Sequence, residues 1–521
     1  MQLFRNFLTV GAFTALSRVL GFTRDILIAS ILGAGPVADA FFVAFKLPNL
    51  FRRLFAEGAF NSAFVPLFAR ARAEEGADGG EAFASSVLSW LTVILLVVTV
   101  LAEIFAPLLV LAMAPGFAGD EAGDLTVVFT RICFPYLAAM SLVAFLSGIL
   151  NTLDRFAVAA FAPVLLNIVL ISALMAAFWL ALPAEDAGFV LSIGVCAAGV
   201  VQAVLLAVAV RRAGVRLRLP RPRGSPRLKR LLRLGIPGIA AGGITQINIV
   251  VGTIIASFWP GAVSHLYYAD RLYQLPLGMV GVAIGVALLP DLSRRLRAGD
   301  EGGALWTQNR ALEFSLMLTL PAAAALIVVP LEIVTTLFER GAFDRQDAAM
   351  TAAALSAYGF GLPAFVLIKV FSPAYFARED TRTPMLFAGV SMVVNVAGSA
   401  VFAWFLAADG LAHVGIAAAT SLAGWVNAGL LFAGLVKRKD FRADPTLWTR
   451  LIGFAAASLA LAIAATLIAR QLSGWFFDTG LWASIAALLL MVAGASAVFI
   501  AVCQLSGAFR LRDLTRAIRG K

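Results

Sequence analysis

The segment SWLTVILLVVTVLAEIFAPLLVLAM, residues 89–113, contains one charge, Glu103. It is longer than the roughly 20 apolar residues that an α-helix needs to cross a bilayer. Working outward in both directions, runs of the same kind recur along the whole chain, separated by short polar punctuation. The 521 residues are 61% hydrophobic and 14% charged, with a mean hydropathy of +0.91. A soluble protein would carry roughly 25% charged residues. An ordinary soluble enzyme is excluded, and the expected fold is an all-α polytopic membrane protein.

Apolar runs and breakers place fourteen helices, near 8–32, 38–70, 83–112, 124–150, 157–181, 188–210, 228–258, 262–292, 304–338, 347–374, 384–406, 412–436, 447–470 and 479–508. An even number of spans puts both termini on one side, and the distribution of Lys and Arg chooses which. Ten lie in Arg211–Arg233 and five in Arg510–Lys521, whereas Arg340, Arg345 and Arg470 alone fall on the opposite side. Both ends are therefore expected in the cytoplasm. The net charge of +11 follows from this topology and gives no reason to invoke nucleic acid. Trp179, Trp259, Trp404, Trp475 and Trp482 fall near outer span ends, as an interfacial aromatic belt would. Cys133, Cys196 and Cys503 show no C-x-x-C spacing, so neither a disulfide framework nor a thiolate metal site is expected.

Sliding the chain along itself by 228 positions pairs Arg5 with Arg233, Gly33 with Gly261, Pro48 with Pro276, Pro135 with Pro363 and Asn167 with Asn395. Six helices map onto six in the same orientation, a plan typical of secondary transporters. The expected organisation is an N-terminal lobe at 1–210, a basic cytoplasmic linker at 211–227 and a C-terminal lobe at 228–446. Two further helices at 447–508 and a basic tail at 509–521 complete it.

The first two helices carry Arg18, Arg24, Asp25, Asp39, Lys46, Arg52, Arg53 and Glu57: five positive minus three negative gives +2. Each charge at the bilayer centre costs about 2.5–3.5 kcal/mol on insertion scales, so these residues must face water or one another. At the repeat offset Arg18 becomes Gln246, Arg24 becomes Gly252, Arg52 becomes Val280, Arg53 becomes Gly281 and Glu57 becomes Gly285. The charge is thus no requirement of the scaffold, and the surplus asks for an anionic guest. In the eighth helix Asp270 and Arg271 follow an aromatic run, with Tyr267 and Gln274 on the Arg271 face. A guanidinium donates two parallel hydrogen bonds to phosphate and stays charged at any relevant pH, so several together suggest a diphosphate. The competing reading is a set of salt bridges to Asp25, Asp39, Glu57 and Asp270 that latches one conformation.

The stretches SRVLGFTRD (17–25), GAGPVADAFFVAFKLPNLFRRLFAEGAFNSAFVPLF (33–68), YADRLYQLPLG (268–278), GVALLPDLS (285–293) and SPAYFAREDTRTP (372–384) closely resemble the MurJ (MviN) lipid II flippases. These belong to the multidrug/oligosaccharidyl-lipid/polysaccharide exporter superfamily. The resemblance implies two six-helix lobes plus two helices forming a lipid-tail groove. It also implies transport of the undecaprenyl-diphosphate-linked peptidoglycan precursor from the inner to the outer leaflet of the bacterial cytoplasmic membrane, with no bond broken. It assigns substrate binding to Arg18, Arg24, Arg52 and Arg271, and supporting or gating roles to Asp25, Asp39, Asn49, Arg53, Glu57 and Asp270. Membrane lipids and cell-wall synthesis proteins are the further partners it admits. It also suggests a sodium site, for which Asn248, Asn395 and Thr420 are the nearest residues. The acid expected one turn after Asn395 is Ser399 here, so no cofactor is expected and membrane potential is the preferred driving force.

Three alternatives frame these expectations. A membrane-bound enzyme acting on the same lipid would need a D-x-D, metal-spaced or Ser/His/Asp constellation, and the outer loops are too short to hold one. A cation-coupled drug exporter would call for an acidic pocket. A flippase for another polyprenyl-linked glycan would use the same diphosphate chemistry, and physics alone does not separate it.

Overall fold

In the computed structural model residues 2–52, 59–222 and 224–509 are described; at 2–7, 51–52, 59, 62, 235–249, 282–283 and 285–287 the description covers the backbone only. Among these residues the regular secondary structure is helical, apart from an isolated bridge between Arg340 and Phe343. The helices run α1 (Gln2–Leu32), α2 (Pro36–Arg52), α3 (Ala59–Ile104), α4 (Ala106–Met113), α5 (Glu121–Cys133), α6 (Tyr136–Thr152), α7 (Phe156–Trp179), α8 (Ala184–Arg212) and α9 (Pro226–Ala256). They continue with α10 (Ala262–Arg297), α11 (Glu301–Val328), α12 (Pro330–Phe338), α13 (Arg345–Phe376), α14 (Arg382–Leu406), α15 (Ala412–Lys437), α16 (Pro445–Gln471), α17 (Ser473–Phe477) and α18 (Leu481–Leu505).

Among the described residues ten helices are long and apolar enough to cross a membrane, one being the joined pair Glu121–Thr152. The expected spans outside this set correspond to α1, α2, α9 and α10. Of these, α1 and α10 carry charges within the span, α2 has 17 residues, and much of α9 is described by its backbone only. Apolar side chains point outward over whole faces: Leu459, Ile463 and Leu467 on α16, and Leu489, Leu490 and Val492 on α18, are exposed. In water such faces would be costly; in hydrocarbon they are required, because backbone polar groups are satisfied within each helix. Trp179, Trp404 and Trp482 are also exposed, as an interfacial belt requires.

Helix ends follow local chemistry. Ser225 and Asp444 cap α9 and α16 with side-chain oxygens, each followed by a proline in the first turn, where a missing N–H costs nothing. Asp344 and Asp347 form a capping box on α13. Three expected boundaries are corrected. The segments read as 38–70 and 83–112 with a loop between are helical across that loop: α3 runs from Ala59 to Ile104 through a kink at Gly76, whose φ is 72°. The helix read as 124–150 is interrupted at Phe134 and Pro135, and the one read as 304–338 at Val329.

The chain divides into two compact units, Met1–Ser264 with Arg340–Phe343, and His265–Glu339 with Asp344–Lys521. The first has a core of Phe64, Phe68, Phe83, Phe145, Ile149 and Leu206. The second has one core around Leu292, Leu312, Val370, Phe371 and Leu431, and another of Val329, Leu461, Phe476 and Met491.

Candidate functional site

In the first unit α1 lies along α7. The Phe13 and Phe161 rings meet edge to face at 5.3 Å, and further along Gly21 leaves room for Asn167, whose amide would lie 3.6 Å from an added Cβ. Beyond Gly21, Arg24 and Asp25 are buried, at 8% and 2% exposure. Arg24 donates to Asp25 Oδ1 from both Nη2, at 2.7 Å, and Nε, at 3.1 Å. Its Nη1 donates to Asn167 Oδ1 at 3.1 Å. The guanidinium adjacent in sequence thus folds back onto the Asp25 carboxylate.

Arg18 is exposed and has no ion-pair or hydrogen-bond partner among the described residues. It lies about 24 Å from one end of α1 and about 21 Å from the other at 1.5 Å per residue. An exposed guanidinium thus sits midway along a helix of membrane-spanning length.

Asp39, on α2, is 1% exposed. Its Oδ2 accepts from the Gly261 N–H at 2.8 Å and its Oδ1 from the Ser264 N–H at 2.7 Å. Those amides open α10, so the carboxylate acts as a cap supplied by another helix, where a negative charge also complements the helix dipole. Further along α2, Lys46 donates from Nζ to Thr253 Oγ1 of α9 at 2.6 Å, and the Asn49 amide donates to the Phe45 carbonyl at 3.0 Å. Arg52 ends α2, and its side chain lies outside the described residues, as do Arg53 and Glu57 altogether.

In the second unit the Arg271 guanidinium lies over the Tyr267 ring at 4.5 Å, a cation–π arrangement. Gln274 donates to Asp270 Oδ2. Tyr273 stacks on Tyr358 at 5.5 Å. Of the suggested sodium ligands, the Asn248 side chain lies outside the described residues. Asn395 Oδ1 accepts from Thr420 Oγ1 at 3.2 Å and from Ser399 Oγ at 3.4 Å. This trio is neutral, and no group of three or more His, Cys, Asp or Glu side chains suited to a metal occurs among the described residues. A hard cation is held by carboxylate, carbonyl and water oxygens, and the described members of the suggested set offer an amide oxygen and two hydroxyls, with no carboxylate.

Sequence reasoning missed the partners. Asn167 stood out only as a repeat match, and Thr253 did not stand out at all. The available signal for Asn167 was a lone amide inside an otherwise apolar helix, four residues after Pro163.

Many apolar helices with lipid-facing surfaces, together with buried and mid-helix charges in α1 and α2, define a multi-pass membrane transporter. Comparison with known proteins gives the family. The model for Lipid II flippase MurJ matches residues 28–504. A "Probable lipid II flippase MurJ" of Rhizobium meliloti (strain 1021) is 49% identical, covering 100% of this chain and 97% of that protein. The "Lipid II flippase MurJ" of Burkholderia cenocepacia is 36% identical over 89% of both chains. Among solved structures, "Lipid II flippase MurJ, inward closed conformation" aligns with a TM-score of 0.76 at 25% identity, covering 98% of this chain and 100% of that one. An inward-facing multidrug resistance MATE family transporter of the MOP superfamily shares the fold, with a TM-score of 0.66 at 17% identity over 81% of this chain and 94% of that one. The chain belongs to the lipid II flippase MurJ family, and its role is transport rather than chemical catalysis.

Proposed function

We propose that the chain flips lipid II by alternating access, receiving its diphosphate on Arg18, Arg24, Arg52 and Arg271. The observation that carries this reading is Arg18, an exposed guanidinium in the middle of α1 with no acid partner among the described residues. On insertion scales such a group costs about 2.5–3.5 kcal/mol at the membrane centre. A water-filled path and an anionic substrate both offset that cost, and a diphosphate fits the guanidinium fork. Arg24 supplies a second, fixed guanidinium, with Asp25 holding one edge and Asn167 another. Asp39 supports the arrangement by capping α10.

In this reading the fourteen-helix topology has both termini in the cytoplasm, and the prenyl tail stays in lipid while the headgroup crosses. The net +2 of the charged cluster makes reorientation sensitive to membrane potential, at about 2.3 kcal/mol per charge per 100 mV. No sodium step is included, because Ser399 stands where the resemblance leads one to expect an acid. The test is leaflet accessibility of labelled lipid II in cells depleted of their native flippase and carrying Arg18→Ala, Arg24→Ala, Arg52→Ala or Arg271→Ala. Loss of outer-leaflet lipid II is expected in each. Wild-type transport by all four expressed variants would overturn the arginine reading.

A further inference from the structure

We infer that Asn167 is a positioning residue for Arg24, an inference that rests on the reading of Arg24 as a diphosphate ligand. Nε and Nη2 of Arg24 both donate to Asp25 Oδ1, along one edge of the planar guanidinium. Nη1, at the other end of the group, donates to Asn167 Oδ1, so the amide holds that end in a set direction.

The orientation of the Asn167 amide is itself determined. Its Nδ2 donates to the Ser17 carbonyl of α1 at 2.9 Å and to the Pro163 carbonyl of α7 at 3.2 Å. Flipping the amide would set its oxygen against two carbonyl oxygens and its NH2 against a cation. The side chain is 5% exposed, so the penalty would not be relieved by solvent. The amide therefore ties α1 to α7 and directs its oxygen at Arg24 in one motif.

The internal repeat supports a specific role. Asn395 occupies the matching position 228 residues on, where Arg24 is replaced by Gly252. There the amide oxygen accepts from the Thr420 and Ser399 hydroxyls. A buried asparagine is thus part of both halves, and it receives a guanidinium only in the half that has one.

The test is a double-mutant cycle on the full-length protein in lipid nanodiscs, with lipid II as probe and the thermal unfolding midpoint measured in parallel. Asn167→Leu keeps the volume and removes both polar functions; Arg24→Gln removes the charge while leaving a donor for Asp25. Loss of one charge-assisted hydrogen bond predicts that Asn167→Leu weakens binding about tenfold in the wild-type background. In the Arg24→Gln background it has no further effect. A merely structural tie between α1 and α7 would weaken binding by the same factor in both backgrounds, and that result would overturn the inference. If Asn167→Leu fails to fold, Asn167→Ser replaces it in the same cycle. Should Arg24→Gln bind lipid II as tightly as wild type, the underlying reading of Arg24 fails. Should Arg24→Gln weaken binding while Asn167→Leu does not, the positioning role alone falls.

Discussion

Arg18 allows transport and stability to be separated by one substitution. Arg18→Gln removes a guanidinium that is exposed and has no ion-pair or hydrogen-bond partner among the described residues. The fold therefore loses no ion pair or hydrogen bond among the described residues, and it is relieved of about 2.5–3.5 kcal/mol of insertion cost if the residue sits at the membrane centre. The thermal midpoint should stay constant or rise. Binding should fall, because a hydrogen bond to a charged group contributes about 1.5–3 kcal/mol, or roughly 10- to 150-fold in affinity. Arg24→Gln is the internal contrast. It breaks an ion pair of 2.7 Å whose side chains are 10% and 3% exposed, and loss of one partner from a buried pair costs about 3–5 kcal/mol. Its midpoint should drop along with its affinity. The assay is lipid II binding and thermal unfolding of the purified variants, with complementation of flippase-depleted cells. If Arg18→Gln unfolds as early as Arg24→Gln, or binds lipid II as tightly as wild type, the assignment of Arg18 to the substrate is wrong.

Asp39→Ala orphans the Gly261 and Ser264 amides, each worth about 1–3 kcal/mol, so a clear fall in melting temperature is expected, with Asp39→Asn milder; equal midpoints would refute the capping role. Gly33→Ala forces a side chain into φ 67°, with its Cβ 2.6 Å from the Ala342 carbonyl oxygen, and should cost at least about 1–2 kcal/mol, read by denaturation. Replacing sodium by choline should leave lipid II transport in vesicles unchanged, whereas collapsing the membrane potential with valinomycin and potassium should slow it; the opposite pattern would favour ion coupling. Asp380 lies in the turn before α14, where the Thr383 N–H and then the Arg438 guanidinium lower its pKa to about 2. Because the folded value is depressed, its stabilising effect is fully present above the ordinary aspartate range and is lost as pH falls towards 2. Asp380→Asn should abolish that part of the acid sensitivity.

The membrane fold was legible because the apolar runs are long and the breakers sparse, and the ten qualifying spans follow those runs. The corrected boundary at α3 shows where polarity misleads. Arg72, Glu74 and Glu75 fell in the stretch read as a loop, yet all three are good helix formers, and Glu74 pairs with Arg70 one turn back at 2.7 Å. The helix persists until Gly76 adopts a left-handed φ. In the site, charge cost alone drew attention to Arg18, Arg24, Asp25 and Asp39. Partner choice was not legible: Asp39 reaches backbone amides 222 and 225 residues away, and spacing along one helix says nothing about such contacts.

The repeat explains why one sequence carries both a generic scaffold and a particular chemistry. Gly33 and Gly261 both take left-handed φ values, 67° and 75°, just before α2 and α10, so each half turns its second helix with the same device. Pro48 and Pro276 both lie inside the helices that follow. Where backbone geometry is at stake, the halves agree. They diverge where charge is at stake: Arg24 answers to Gly252 and Arg18 to Gln246, and Asn167 receives a guanidinium whereas its repeat counterpart Asn395 receives hydroxyls. Under the proposed function Arg24 and Asp25 act as a pair, and replacing both avoids the unpaired buried carboxylate that Arg24→Gln alone leaves. The double replacement should therefore unfold later than Arg24→Gln and still fail to move lipid II.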